Sequence, residues 1–243
     1  GTGSDSIIYA TPLAAFTAMA ALSAGTHASL RINDGSYTGV VSVSPPNGSH
    51  WDIHGGGGGT IWAATANSQT LLTLGINGGA YSHIRVRDIL FKTSGFTGGT
   101  GVSFENNNAT FHIEECTFDV DGTSNIGLKV NSGLESVVAR CIFTSLTTNL
   151  GTGIDESSGQ TRISDCYFET TIGIDVSASS SGNTFKGNAF LLTGASTICI
   201  RLNGTFQNSV ITNNVGSSVS GITTVAALLD NVVISDNNFG GTT

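Results

Sequence analysis

One short pattern of apolar and polar positions occurs seven times along this chain. An apolar residue is followed three positions later by Ile, Cys or Asn and, two positions further on, in all repeats but one by Phe, as in FHIEECTF at residues 111–118. The middle position is occupied in turn by Ile89, Cys116, Cys141, Cys166, Asn188, Asn214 and Asn237. Because the interval stays between 22 and 27 residues, the pattern predicts a solenoid of repeated units.

A second apolar run follows each of the first runs. It covers residues 101–104, 127–130, 153–156, 173–176 and 199–202. Successive side chains of a strand point to opposite sides. The positions predicted to point inward are Val102, Leu128, Ile154, Ile174 and Ile200. Two to three short strands per unit, separated by Gly, Asn and Ser turns, predict stacked coils of parallel strands. We therefore expect an all-β, single-stranded parallel β-helix.

The stacking of coils explains the residue types in the repeat. Equivalent residues of successive coils would lie about 4.8 Å apart, so that Phe stacks on Phe and each Asn reaches the Asn or the backbone of the next coil. Cys116, Cys141 and Cys166 occupy one inward position, where Cys acts as a small apolar residue. Three successive equivalents cannot all pair, and we expect buried free thiols.

One charged residue interrupts an inward row of the second runs. Glu156 aligns with Val130 and Val176 of the neighbouring repeats. Two interpretations are open: the strand ends before Glu156, or a buried acid finds a partner. We favour the first.

The N-terminal residues predict a helix that closes the open end of the solenoid. Thr11 is a candidate N-cap with Pro12 at the first helical position, and Gly25 is a stop signal. The predicted apolar stripe of this helix is Leu13, Phe16, Met19 or Ala20, and Leu22. Terminal repeats of an array need such a cap. We assign residues 1–26 to the N-terminal segment and capping helix, and residues 27–243 to a β-helix of about seven to nine coils.

Composition and charge narrow the function classes. Charged residues form only 11% of the chain, and the net charge is −8 with nine Lys and Arg scattered singly. Without a basic patch, nucleic-acid binding is not expected. No apolar run reaches the roughly 18 residues of a membrane span. The most apolar stretch, LAAFTAMAALSAG, lacks the basic start of a signal peptide, and we do not interpret it as one.

Three segments carry a resemblance to a known superfamily. Residues 11–39, with a capping helix followed by INDGSYTG, together with WDIHGGGGGTIW at 51–62 and HIRVRDILF at 83–91, resemble pectate-lyase-like right-handed parallel β-helix proteins. Within that superfamily, the low charge and the many Gly, Ser, Thr and Asn residues look most like a bacteriophage tailspike or tail-fibre domain. The resemblance implies a homotrimer on a virion tail or in the extracellular space, with a bacterial surface polysaccharide as its partner. Cleavage of that polysaccharide is left open, and no cofactor is implied.

The outward positions of the second runs supply the candidate chemistry. They are Ser103, Lys129, Asp155, Asp175 and Arg201. Two carboxylates on adjacent coils, about 5 Å apart, should raise the pKa of one of them and so give an acid and a nucleophile for retaining glycoside hydrolysis. We predict Asp155 and Asp175 as catalytic residues, with Lys129 and Arg201 binding substrate. Alternatively the carboxylates could hold Ca²⁺, or the column could be a surface charge ladder without function.

A second outward column is mostly apolar. It contains Leu90, Thr117, Ile142, Tyr167, Ala189 and Val215, and a neighbouring column adds Val137, Val210 and Val233. Such a surface favours subunit contact, with sugar binding as the second choice. Exposed aromatic side chains are candidates for sugar contact, and these are Tyr37, Trp51, Trp62, Tyr81 and Tyr167. We predict Tyr167 as a substrate-binding residue.

Two further groups of charged residues have structural interpretations. Glu115, Arg140 and Asp165 alternate in sign along one column, which suggests ion pairing between coils. The segment HWDIH at residues 50–54 could in principle bind a metal, but it precedes five Gly, so we expect a flexible turn with solvated His and no metal site.

Three hypotheses about function follow from the sequence. The first is a tailspike-type domain that recognises a surface polysaccharide, with Asp155 and Asp175 as candidates for its cleavage. The second is a secreted monomeric polysaccharide lyase or glycoside hydrolase. The third is a structural appendage that is not catalytic.

Overall fold

The computed structural model describes residues 11–56, 59–75, 81–105, 108–131, 135–145, 151–192, 196–225 and 228–241. It is a right-handed β-solenoid of about 8 turns with one short helix near the N-terminus, which confirms the predicted fold class. Each coil passes through three parallel sheets in the same order, and each strand pairs with its counterpart in the next coil.

The strands of the three sheets are as follows. The first sheet contains His27–Ile32, His50–Gly55, Ser82–Arg87, Ala109–Glu114, Ser136–Ala139, Thr161–Ser164, Ser180–Ser181, Thr184–Lys186, Phe206–Thr212 and Leu229–Ser235. The second contains Gly35–Thr38, Thr60–Ala63, Leu90–Lys92, Thr117–Asp119, Ile142–Thr144, Tyr167–Glu169, Ala189–Leu191, Val215–Ser218 and Asn238–Gly241. The third contains Val41–Val43, Thr70–Leu74, Thr100–Phe104, Ile126–Val130, Thr152–Glu156, Ile172–Val176, Ile198–Asn203 and Ser220–Val225.

A stack of Phe rings forms the centre of the core. Phe118, Phe143, Phe168 and Phe190 follow one another with centroid distances of 4.7, 4.9 and 4.8 Å and nearly parallel planes. A column of Gly in the third sheet makes room for the rings: a Cβ at Gly153 would lie 2.6 Å from the ring of Phe168. Each Gly faces the Phe of the following coil, and where Gly216 takes the place of that Phe, Cys199 of the preceding coil takes the place of the Gly. The Phe rings of the second sheet and the Gly residues of the third sheet therefore occur together, and where one is replaced the other is replaced as well.

The sequence repeat marks the corner between the first and second sheets. The residue at this corner has a left-handed φ in every repeat, between 53° and 58° at Asp88, Glu115, Arg140, Asp165, Asn213 and Asp236, and 68° at Gly187. The turn points the next residue into the core, which explains the predicted Cys and Asn column.

The Asn ladder and the free thiols of this column are confirmed. The side-chain amide of Asn188 donates to Oδ1 of Asn214 at 2.9 Å, and that of Asn214 donates to Oδ1 of Asn237 at 2.9 Å. Cys116, Cys141, Cys166 and Cys199 are all free and buried. Burial raises the pKa of the Cys116 thiol to about 12.

The capping helix spans Pro12–Ala20, and the hydroxyl of Thr11 accepts a hydrogen bond from the backbone of Ala14, as the N-cap prediction requires. Its buried residues are Pro12, Ala15, Phe16 and Met19. The predicted stripe was wrong at both ends, since Leu13 and Leu22 are exposed. The helix is shorter than the stripe assumed, and its buried face is rotated by one residue.

Two residues proposed as exposed aromatics lie in the core. Trp51 and Trp62 are buried, and the ring of Phe16 lies 6.3 Å from one and 6.1 Å from the other. The indole N–H of Trp62 donates to the carbonyl of Gly39 at 2.9 Å. The prediction that these Trp side chains could contact sugar is wrong, because both serve to seal the core under the helix.

Candidate functional site

The predicted charge column lies on the outer face of the third sheet. The structure pairs Ser103 with Lys129, Lys129 with Asp155, Asp155 with Asp175, and Asp175 with Arg201, each on an adjacent coil. The residues that precede them in each strand are fully buried and fix the strands against the core. The predicted register of the column is therefore confirmed.

Asp175 is held by two donors. Arg201 donates from Nε to Oδ1 at 2.9 Å and from Nη2 to Oδ2, so the guanidinium grips both oxygens. The amide of Asn203 donates to Oδ1 at 2.7 Å. Only a tenth of the Asp175 side chain and about a third of the Arg201 side chain are exposed, at 10% and 31%. Asp175 is thus a fixed, charge-compensated carboxylate.

Asp155 has a different environment from Asp175. Burial raises its pKa, a hydrogen bond from the hydroxyl of Ser177 lowers it, and the negative charge of Asp175 raises it again. The positive charges of Lys129 and Arg201 act in the opposite direction and are weaker. The two carboxyl groups therefore differ: the pKa of Asp155 is raised, and Asp175 is bound to a cation.

This division matches the acid and the nucleophile of a retaining glycosidase. Coil spacing sets the backbones of the two residues about 5 Å apart, which puts their carboxyl groups on neighbouring coils of one face. Ca²⁺ binding by the same pair would have to displace Arg201 from both oxygens of Asp175. Within the described residues, no group of three or more His, Cys, Asp and Glu side chains is arranged to hold a metal ion.

A second polar column lies beside the first and was missed by the sequence analysis. Its members stand two residues after those of the first column and are Glu105, Asn131, Ser157, Ser177 and Asn203. Asn131 donates to Glu105 at 2.9 Å and accepts from the hydroxyl of Ser157 at 2.5 Å. The strand period could have identified this column. We call the two columns together the third-sheet polar face.

Tyr167 does not belong to this face. It lies on the outer side of the second sheet, between Ile142 and Ala189, as the predicted apolar column requires. Ile142 and Val215 of the same column are 44% and 49% exposed. The structure therefore separates Tyr167 from Asp155 and Asp175, and a single site of all three is not formed by one chain.

Glu156 is buried inside the coil, and the expectation that the strand would end before it is wrong. The strand Thr152–Glu156 runs through it. The backbone N–H groups of Ser158 and Gly159 donate to Oε1 at 2.8 and 2.5 Å. Burial nevertheless raises the pKa of Glu156. The loop turns inward to supply these donors, and Gly159 adopts a φ of 92° to do so.

The predictions for the column of Glu115, Arg140 and Asp165 and for the segment at residues 50–54 had different outcomes. Arg140 contacts Glu115 at 2.9 Å, as predicted, and also Glu114 at 2.8 Å. Among the described residues Arg140 forms no ion pair with Asp165, so the predicted column of pairs is only half confirmed. Residues 50–54 are not the flexible turn that we expected. They lie in the regular strand His50–Gly55, which pairs with a neighbouring strand on either side.

Comparisons with known proteins place the fold. No protein-family model matches the chain, and a search of the curated proteins finds no match. The chain is similar to a mutant tailspike protein of E. coli bacteriophage HK620, with a TM-score of 0.63, 12% sequence identity, and 94% of this chain and 52% of that chain covered. A double mutant of that tailspike in complex with pentasaccharide gives a TM-score of 0.53 and 10% identity, with 94% and 53% covered.

A pectin methylesterase mutant in complex with a hexasaccharide is also similar, with a TM-score of 0.57, 10% identity, and 96% of this chain and 89% of that chain covered. At these identities the likeness establishes the right-handed parallel β-helix fold. The chain spans about half the length of the tailspike chains that it matches. Among the described residues, no helix is long and apolar enough to cross a membrane.

Proposed function

We propose that this chain is a tailspike-type domain that binds a bacterial surface polysaccharide along the third-sheet polar face. The observation that carries the proposal is the register of Lys129, Asp155, Asp175 and Arg201 on four successive coils. A saccharide chain offers hydroxyl groups at regular intervals, and a row of donors and acceptors about 4.8 Å apart suits such a ligand.

The polar face supplies both halves of each hydrogen bond that a sugar hydroxyl makes. Lys129 and the second N–H of the Asn131 amide can donate, and the remaining lone pairs of the Glu105 and Asp155 carboxyl groups can accept, beside the bonds these groups already make to Ser103, Asn131 and Ser177. Lys129 is half-buried, and its charge acts on Asp155. Proteins of the same fold have been solved with a pentasaccharide and a hexasaccharide bound, which supports a saccharide ligand for this one.

Cleavage of a glycosidic bond would follow from the two differentiated carboxyl groups. Asp155, whose pKa is raised by burial, would donate its proton to the leaving oxygen. Asp175, oriented by Arg201 and Asn203, would attack the sugar carbon and form a covalent intermediate that water then hydrolyses. Arg201 would keep the attacking carboxylate ionised and fixed.

Binding and cleavage can be tested separately. The labelled chain would be tested on a panel of bacterial surface polysaccharides, and reducing ends would be counted after incubation. Lys129→Gln should abolish binding without harming the fold, and Asp155→Asn with Asp175→Asn should keep binding and abolish cleavage. Glu135→Gln changes a carboxylate outside the face, whose partner is Arg162, and serves as the control.

Three results would each refute a different part of the proposal. Binding that Lys129→Gln leaves intact would refute the third-sheet polar face as the site. Binding by the unmodified chain without release of reducing ends would refute cleavage and leave the binding function standing. Cleavage that survives loss of both carboxylates would refute their catalytic role.

We further propose that the chain acts as a homotrimer on a phage tail, with the apolar column of the second sheet as the subunit contact. Ile142, Tyr167 and Val215 form part of an outward row that continues through every coil from Leu90 onward. Light scattering should give about three times the 24.8 kDa mass of the chain, and the Ile142→Asp variant should have the mass of a single chain. A monomeric unmodified chain would overturn this assignment and favour a secreted monomeric enzyme.

A further inference from the structure

All five histidines of the chain lie on one surface, the outer face of the first sheet, within its first four strands. His27, His50 and His83 form one row across three coils. His112 lies in the neighbouring row of the same face, with Asp52 and Arg85, and His54 lies in the row beyond that, with Arg87. None of the five His side chains is buried in the core, and each therefore lies within reach of a ligand on this face.

Four imidazole rings follow one another from coil to coil, the first pair stacked, the second tilted and the third edge to face. The rings of His27 and His50 lie 4.4 Å apart and are nearly parallel, those of His50 and His83 lie 5.5 Å apart, and those of His83 and His112 lie 4.7 Å apart. Each ring thus contacts the next across a coil boundary. These rings form one wall of a surface depression.

This depression is a groove of about 390 Å³, lined by His27, Ser29, His50, Asp52, His83 and Arg85 among others. A second hollow of about 230 Å³ shares His50 and His83 with it and extends toward Tyr81 and Thr110. Tyr81 is 65% exposed at the rim. We call the two hollows together the histidine groove. It is large enough to receive a short oligosaccharide.

The charged groups of the groove have unused hydrogen-bonding capacity. Arg85 contacts Glu114 at 3.0 Å, and Arg87 contacts Asp52 at 3.2 Å. In the described part of the chain, Nε of both Arg side chains and Oδ1 of Asp52 are buried without a hydrogen-bond partner. Buried polar atoms are normally satisfied, and clustered exceptions point to a missing polar partner.

The groove changes its charge with pH. Burial and the positive charges of His112, His50 and Arg85 lower the pKa of His83. A charged ring beside His83 therefore makes the protonation of His83 less favourable. Burial also lowers the pKa of His112, although Glu114 and Glu135 act to raise it. Protonation of His83 and His112 would place positive charge on this face of a chain whose net charge is −8. An anion lying along the row would offset the repulsion between neighbouring rings.

We propose that the histidine groove is a second ligand site, separate from the third-sheet polar face, and that it binds a carboxylate- or phosphate-bearing saccharide more tightly as the pH falls. The imidazole row and Arg85 would contact the anionic group, and Asp52 would accept from a sugar hydroxyl. The other charged groups that face the row are Arg31, Arg87, Glu114, Glu135 and Arg162.

The inference can be tested by titration calorimetry with trigalacturonate, glucose 6-phosphate and neutral maltotriose, at about pH 5 and about pH 7.5. Carboxylates stay ionised at the lower pH because their ordinary pKa is about 4. We expect at least one anionic probe to bind about tenfold more tightly at the lower pH. The anionic probe that binds identifies the group as carboxylate or phosphate.

Variants separate this site from its surroundings. The double variant His50→Gln with His83→Gln should lose about tenfold in affinity at the lower pH, whereas His54→Gln, outside the groove, should bind as the unmodified chain does. Asp155→Asn with Asp175→Asn should also bind normally, which distinguishes failure here from failure of the third-sheet site. The proposal would be overturned if neither anionic probe bound, or if maltotriose bound as tightly as the anionic probes. It would also be overturned if the double variant kept the full affinity of the unmodified chain.

Discussion

Replacing Arg201 by Gln tests how the charges of the third-sheet polar face are balanced. The change removes both guanidinium hydrogen bonds from Asp175 and leaves it with Asn203 alone. Asp175 is almost buried and Asp155 lies on the next coil, so two carboxylates would face each other without their cation. The loss of stability should depend on whether those carboxylates are ionised.

The size of the effect follows from burial. Removing one partner of a buried ion pair costs about 3–5 kcal/mol, and the partial exposure of Arg201 places the expected loss near the lower end, about 3 kcal/mol. For a domain of this size that corresponds to a fall in melting temperature of about 6–12 °C. Arg162→Gln is the matched control, because its pair with Glu135 is exposed at 64% and 45% and should contribute less than about 1 kcal/mol.

The pH dependence supplies a second check. Arg201 is one of the charges that lower the pKa of Asp155, so its removal raises that pKa further above the unfolded value. The stability associated with protonated Asp155 is present below about pH 4 and lost as the pH rises through the raised pKa. Melting followed by circular dichroism should therefore show a large deficit near pH 8 and a small one near pH 4. Equal deficits for Arg201→Gln and Arg162→Gln, or a deficit independent of pH, would refute this account.

Three further predictions concern the core. Phe143→Ala should lower the free energy of unfolding by about 3–5 kcal/mol, because the ring is fully buried between Phe118 and Phe168. Phe143→Leu should lower it by less than about 1.5 kcal/mol, and equal losses for the two variants in urea unfolding would count against the stack. Burial raises the pKa of Glu156, so stability should fall as the pH rises through that pKa, and Glu156→Gln should remove this part of the pH dependence; parallel pH profiles would contradict it. The four thiols should not react with a thiol reagent until the chain unfolds, since all are buried and burial raises the pKa of Cys116 to about 12 and of Cys199 to about 11; a thiol that reacts in the folded chain would disprove their burial.

The stacking of coils explains why so much of the third-sheet polar face could be predicted. In a β-helix the register between coils is set by the repeat, so aligning Ile154 with Ile174 also aligned Asp155 with Asp175. The same alignment predicted the Phe stack and the Asn ladder. It could not predict which carboxylate Arg201 would bind, because that depends on side-chain conformation.

One error arose where a coil departs from the repeat. Glu156 occupies an apolar row, and only the following loop, with Gly159 in a left-handed conformation, supplies the backbone donors that allow its burial. The error at Trp51 and Trp62 is different, because both follow the repeat: they pair with the buried Ile84 and Phe91, and the strand period could have predicted their burial. The His row was missed because its members are 23 and 33 residues apart, so insertions between the strands obscure the period.

A crystal structure of the chain soaked with an oligosaccharide, prepared from a polysaccharide that the chain binds, would show directly where the sugar lies. We expect sugar density on the third sheet, across several coils, with contacts to Lys129, Asp155 and Arg201. Sugar bound only to the apolar column of the second sheet, or only in the histidine groove, would contradict the assignment of the third-sheet polar face as the binding site.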